Sequence, residues 1–207
     1  MGYAGVRMSA APQALFVADH PALDFVNTRY GPPNAPVEVI PDGAAFMSWL
    51  VEAGWINSAV ATKLKRRLGT PALNDLAAEA RGLRGWASGW IERWAQAPTA
   101  DYAAEARRLN GLLAHKRGYV ELVESNEGLT LRNHVHLDSP AEVLARIAEP
   151  LAELMARAPA NLVKRCAGAD CTLWFLDKTK SHRRLFCSAA ACGNRAKVAA
   201  FRERQRT

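Results

Sequence analysis

The first 165 residues contain no cysteine; the only four in the 207-residue sequence are Cys166, Cys171, Cys187 and Cys192. A disulfide framework for the bulk of the chain is therefore excluded. Long apolar runs are missing too, and nothing approaches the ~18–20 residues that a membrane span needs. Met1 to Pro12 carry a single Arg and no apolar block, with Met8 as an alternative start. No secretory signal is expected there, so the protein is placed in the cytoplasm without a membrane partner. There is no glycine-rich phosphate loop, no arguable Ser-His-Asp or Cys-His set, no internal repeat and no low-complexity linker. What is present is an ordinary globular balance, 49% hydrophobic and 23% charged, enough for one medium domain and a small one.

Negative charge is scarce at one end only. Residues 161–207 carry 11 Lys and Arg against 3 Asp and Glu, whereas residues 1–160 carry 16 against 17. The whole of the +7 net charge therefore sits in the last 47 residues. Such a tail suits a polyanionic partner, or a solubilising face, and charge alone does not choose between them.

The cysteines lie in the same tail. Four residues separate the members of each pair, and fifteen separate the pairs. Each pair can supply two thiolates from a tight turn, and the intervening loop can bring the turns together around one tetrahedral structural zinc. Disulfides are disfavoured by the missing export signal. An iron–sulfur cluster accepts four thiolates but usually with another spacing. Between the pairs, Leu173 to Leu176 predicts a short strand, Asp177 to His182 a polar turn, and Arg184 to Phe186 a returning strand; together they read as a β-hairpin. A helix is expected from Gly193 to about Arg206. A piece this small needs the metal to fold.

Cys192-Gly193-Asn194-Arg195, preceded by Cys187-Ser188 and by Phe175-Leu176-Asp177 and Arg183-Arg184, resembles the CGNR zinc finger over about Leu162 to Arg202. Leu23-Asp24-Phe25-Val26-Asn27-Thr28 is similar to the opening motif of the ABATE-type domain that usually precedes that finger, and Phe46 to Trp55 resembles its first helix. The resemblance implies a bacterial, stress-induced transcription regulator.

The body reads independently as mainly helical. Asp42 caps a helix with Phe46, Trp49, Leu50 and Ala53 on one face, stopped by Gly54. Asn57 or Ser58 starts another, ending at Gly69. Thr70-Pro71 opens a long helix with the seam Leu73, Leu76, Ala80, Leu83, Ala87, Trp90 and Trp94. Gly82, Gly85 and Gly89 weaken it or admit a neighbouring helix. Tyr102 to Leu113 is amphipathic. Tyr119 to Val123 and Leu129 to Leu137 form a hairpin across Asn126-Glu127-Gly128. Ser139-Pro140 caps a last helix that Pro150 should kink. The expected fold class is thus α+β: a mainly helical N-terminal domain with a small β-hairpin, residues 1–160, then a treble-clef-like four-cysteine finger, residues 161–207.

In the finger, Lys178, Lys180, Arg183, Arg184, Lys197, Arg202 and Arg206 are the candidate DNA-binding cations. Arg195 is expected to support the zinc thiolates instead. In the body, Asp24, Asn27 and Thr28 are either turn-capping groups or a pocket for a small-molecule effector. His134 and His136 read as an exposed strand face, and Trp49, Trp55, Trp86, Trp90 and Trp94 as core or pocket lining. The seam from Leu73 to Trp94 either buries itself within the domain or builds a homodimer. Two functions follow: a DNA-binding transcription regulator with a sensing or assembling body, or a zinc-stabilised protein-interaction module. An enzyme is not expected, because four cysteines leave zinc no open coordination position.

Overall fold

The structure is a computed structural model that describes residues 12–32 and 34–206. The reading of the opening segment, Met8 included, falls mostly outside those residues. The body begins with α1 (Pro21–Val26), capped by His20, whose ring accepts the Ala22 N–H. The apolar motif around Asp24 suggests a strand. The His20 cap and Pro21 at the first turn instead start a helix, and Leu23, Phe25 and Val26 are buried. Two short strands, β1 (Arg29–Tyr30) and β2 (Val37–Glu38), pair antiparallel behind it.

Helix α2 (Gly43–Glu52) starts at Asp42, whose side chain accepts the Ala45 N–H, and stops before Gly54 at φ 71°. Helix α3 (Ser58–Gln96) starts at Asn57 and is broken at Gly69, where φ 72° and ψ 168° leave the helical region. That conformation favours glycine, and the chain re-enters the helix at Thr70-Pro71. Gly43 sits so close to α3 that a Cβ there would lie 2.5 Å from the Leu73 backbone carbon, and its N–H donates to the Asn74 side chain.

Every residue of the Leu73-to-Trp94 seam is buried inside the domain, so this face is not available to a second subunit. Among the described residues, a Cβ would meet nothing at Gly82 or Gly85 and only the Arg93 side chain at Gly89, so no neighbouring helix packs on these glycines. Helix α4 (Ala103–Leu113) packs on α5 (Pro140–Arg157). Ser139 and Glu142 form a reciprocal capping box on α5, and buried Pro150 lies inside the helix. Between α4 and α5, β3 (Arg117–Ser125) and β4 (Gly128–His136) form the expected hairpin, paired from Arg117 opposite His136 to Ser125 opposite Gly128.

The finger adds β5 (Val163–Arg165), β6 (Trp174–Leu176), a π-helical turn over Ala189–Gly193 and α6 (Asn194–Arg204). Its hairpin differs from the sequence expectation. β6 pairs with β5, not with Arg184 to Phe186. The first knuckle is itself the turn, since Cys166 N–H bonds to Leu173 O and Cys171 N–H to Gly168 O. The overall class is the expected α+β arrangement, with a mainly helical body and a small zinc-binding module.

The finger is packed into the body rather than tethered to it. Val163, Trp174 and Leu176 belong to the main core with Leu23, Phe25 and Leu76. The Asn27 side chain both donates to Trp174 O at 2.8 Å and accepts from Trp174 N at 2.9 Å, so it completes the edge of β6. Leu176 N–H donates to Ala18 O, and Arg165 pairs with Glu92 on α3.

Candidate functional site

The four sulfurs of Cys166, Cys171, Cys187 and Cys192 lie within 4.8 Å of one another, with Cys187 Sγ 3.7 Å from Cys171 Sγ and 3.6 Å from Cys192 Sγ. A disulfide needs about 2.05 Å, whereas thiolates about 2.3 Å from a central tetrahedral zinc stand roughly 3.8 Å apart. The spacing therefore fits metal and not disulfide. The donor chemistry agrees: burial, with the neighbouring sulfurs, pushes the Cys171 thiol up to about 11 and that of Cys187 higher still. Four packed sulfurs ionise together only with a cation between them. The protein holds one structural zinc in this cage, and four thiolates leave it no open position.

The cage is built locally. Cys166 Sγ accepts the N–H groups of Cys187 and Gly168. Cys192 lies in the first turn of the C-terminal helical segment, which Ser188 caps by accepting the Ala191 N–H. Leu173 and Phe175 are buried in one cluster with the cysteines, and Leu15 and Val17 from the N-terminal segment pack against it. Arg195 Nη2 donates to Cys192 Sγ at 3.0 Å.

A loop from Asp177 to Arg183 projects beside this cage, and one buried carboxylate shapes it. Asp177 is fully buried. It accepts from Lys164 Nζ at 2.7 Å, Thr179 Oγ1 at 2.6 Å, Thr179 N at 3.1 Å and Arg184 N at 3.0 Å. Burial alone would raise its pKa, but these donors outweigh it and hold the carboxyl well below the usual range. Lys164 Nζ also donates to His182 O, fixing the far side of the loop. Neither Asp177 nor Lys164 is a sequence candidate, although Phe175-Leu176-Asp177 stands in the motif. An acidic residue directly after a fully apolar strand is the available signal.

The candidate cations separate into groups. Lys178, Lys180 and Arg183 are exposed on the pinned loop. Lys197 faces the loop across a cavity of about 720 Å³ that Thr179, Leu185, Phe186 and Ala200 also line. Arg204 is four and seven residues beyond Ala200 and Lys197, so it shares their helix face. Arg202 lies on the Arg195 side of α6 and Arg206 in the turn beyond its end, and both are exposed. Arg184 differs from the sequence expectation. Its guanidinium donates to Asp19, Val17 O, Phe186 O and Cys187 O, and it sits 4.3 Å over the Phe175 ring. Its planar fork clamps the finger to the N-terminal segment instead of facing solvent. Phe201, on α6, is 56% exposed.

The residues considered for an effector pocket are committed internally. Asn27 holds Trp174, and Thr28 Oγ1 donates to Phe25 O and accepts from Arg84 Nη1 at 2.9 Å. Buried Arg84 also grips Glu38 with both Nη groups, at 2.7 and 2.6 Å. Asp24 accepts the Ala18 N–H, and burial, with some help from Asp19, pushes its carboxyl up to about 6. Their polar atoms thus bind the protein's own backbone and side chains. His134 lies on a hairpin face, stacked on Tyr119 at 4.5 Å and 2.7 Å from Glu121. Among the described residues, the four cysteines form the one group suited to a metal.

No helix among the described residues is long and apolar enough to cross a membrane. No curated protein matches the chain. Residues 163–205 match the family model of the CGNR zinc finger, and residues 19–158 match that of ABATE, described as "Putative stress-induced transcription regulator". The second match covers more than half of the 207 residues, and the chain belongs to the ABATE family, with a CGNR zinc finger following the ABATE domain.

Proposed function

We propose that this protein is a cytoplasmic DNA-binding transcription regulator in which the finger, residues 161–207, meets the phosphate backbone and the body, residues 1–160, positions it. The observation that carries this reading is the basic loop. Lys178, Lys180 and Arg183 are exposed on a loop pinned by buried Asp177, Lys197 stands opposite on α6, and Arg204 follows two turns along the same helix face. Cations on a rigid frame follow a phosphate backbone without ordering the loop first. The near-neutral body adds no competing field.

The test is duplex DNA binding by the zinc-loaded protein and by the triple variant Lys178→Ala, Lys180→Ala, Arg183→Ala. Each cation withdrawn from a phosphate lowers the salt slope by about 0.9, so the triple variant should have a slope shallower by between two and three while keeping its zinc. An unchanged slope removes the loop from the interface.

The protein-interaction reading has its own support in Leu185, Val198 and Phe201, which are 59%, 48% and 56% exposed on the same module. It takes the place of the first if no DNA affinity is found at low salt.

A further inference from the structure

The β3–β4 hairpin has two unlike faces. Register puts Tyr119, Glu121, His134 and Arg132 on one side, where the aromatic stack and the Glu121–His134 bond satisfy its polar groups. The other side carries Val120, Leu122, Leu129, Leu131 and Val135, which are 58%, 61%, 73%, 68% and 42% exposed, with Asn133 as the polar residue among them. Alternation of this kind marks a strand pair made to cover something. No element among the described residues covers it. A lone two-stranded hairpin is marginal in water, so a partner is expected to contribute to its stability.

We propose that this apolar face is the interface between two copies of the chain. Size and charge both point that way. The five side chains expose roughly 500 Å² per copy, so two copies stacked face to face remove about 1,000 Å², the level at which specific interfaces begin. The hairpin carries Lys116, Arg117 and Arg132 against Glu121, Glu124 and Glu127. It is therefore neutral, unlike the finger, and two copies do not repel. The charges are also polarised: Glu124 and Glu127 lie at the turn and Lys116 at the base, while Arg117 shares the Tyr119 face. A two-fold axis that runs the hairpins antiparallel sets each acidic tip over the partner copy's Lys116 end, and an isologous interface needs that self-complementarity. Glu124 stands on the apolar side of β3 near the turn, and Lys116 directly precedes the strand at its base. Lys116 also bonds Glu149 but keeps a half-exposed side chain. The interface differs from the expected one: the hairpin, and not the Leu73-to-Trp94 seam, makes the contact.

The experiment is sedimentation of the full-length, zinc-loaded protein from about 1 to 100 μM, a range that reports micromolar dissociation constants. A dimer is expected. The double variant Leu122→Thr, Leu131→Thr keeps strand-forming side chains and should weaken self-association at least tenfold, with unchanged circular dichroism and zinc content. Glu124→Arg, a fully surface change, should weaken it as well by placing like charges together. A wild-type monomer throughout overturns the proposal and leaves the face to another protein. A dimer that either folded variant leaves intact overturns it too. If the double variant does not fold, Glu124→Arg decides alone.

Discussion

At the residue scale, single polar side chains join the finger to the body. Asn27 supplies both halves of a missing strand edge to Trp174, and Asp177 gathers four donors to fix a loop. Asp24 is the contrasting case, because burial pushes its carboxyl up to about 6, against about 3.9 in an unfolded chain. Between those values the folded state holds a proton that the unfolded state has lost. Asp24 therefore costs stability progressively as pH rises from about 4 to 6, and the cost is complete above that window. Asp24→Asn keeps an acceptor for the Ala18 N–H. It should raise the thermal midpoint at pH 7.5, with the gain shrinking toward zero at pH 4. Melting curves showing the same gain at every pH would count against this.

Arg195 belongs to the same scale. Its bond to Cys192 Sγ delocalises thiolate charge and orients the ligand, and removing an outer hydrogen bond of this kind typically costs ten- to a hundredfold in metal affinity. Arg195→Gln should release zinc to a chelator about tenfold more readily. If only DNA affinity falls, Arg195 acts on the nucleic acid and not on the cage.

At the element scale, helix starts and the zinc ligands are largely legible in the sequence. Asp42, Asn57 and Ser139 cap as residues of their type should, and Gly69 breaks α3 where the pattern changes. The cysteine spacing, together with the lack of an export signal, points to a zinc site. Strand pairing in the finger is not legible, because Val163 to Arg165 lie before the first cysteine and show no alternation. Only the knuckle's own geometry turns them back on Trp174. The role of Arg184 is hidden for a similar reason: its partners Asp19 and Val17 lie far away in sequence. The glycines of α3 are not the helix contact points that their spacing suggests. Gly82 and Gly85 are not fully buried, with open space where a Cβ would go. Replacing each with Ala should stabilise the protein by about 0.5–1 kcal/mol. Denaturant midpoints check this, and a loss of stability would mean that something packs there.

At the scale of the whole molecule, charge is divided between two parts that share one core. Val163, Trp174 and Leu176 are common to both, so the finger's orientation is set by the body rather than by a linker. A body that holds a basic module rigidly, with a neutral apolar hairpin elsewhere, can present its finger in a fixed direction. The central claim is that the zinc-held basic module binds the DNA backbone. The most direct measurement is the affinity of the zinc-loaded protein for duplex DNA between about 50 and 200 mM salt, where some four to six phosphate contacts give a log–log slope of about −4 to −5. That slope is expected, and so is its disappearance when the zinc is removed. Failure to bind DNA at the lowest salt, with zinc fully bound, would contradict the claim.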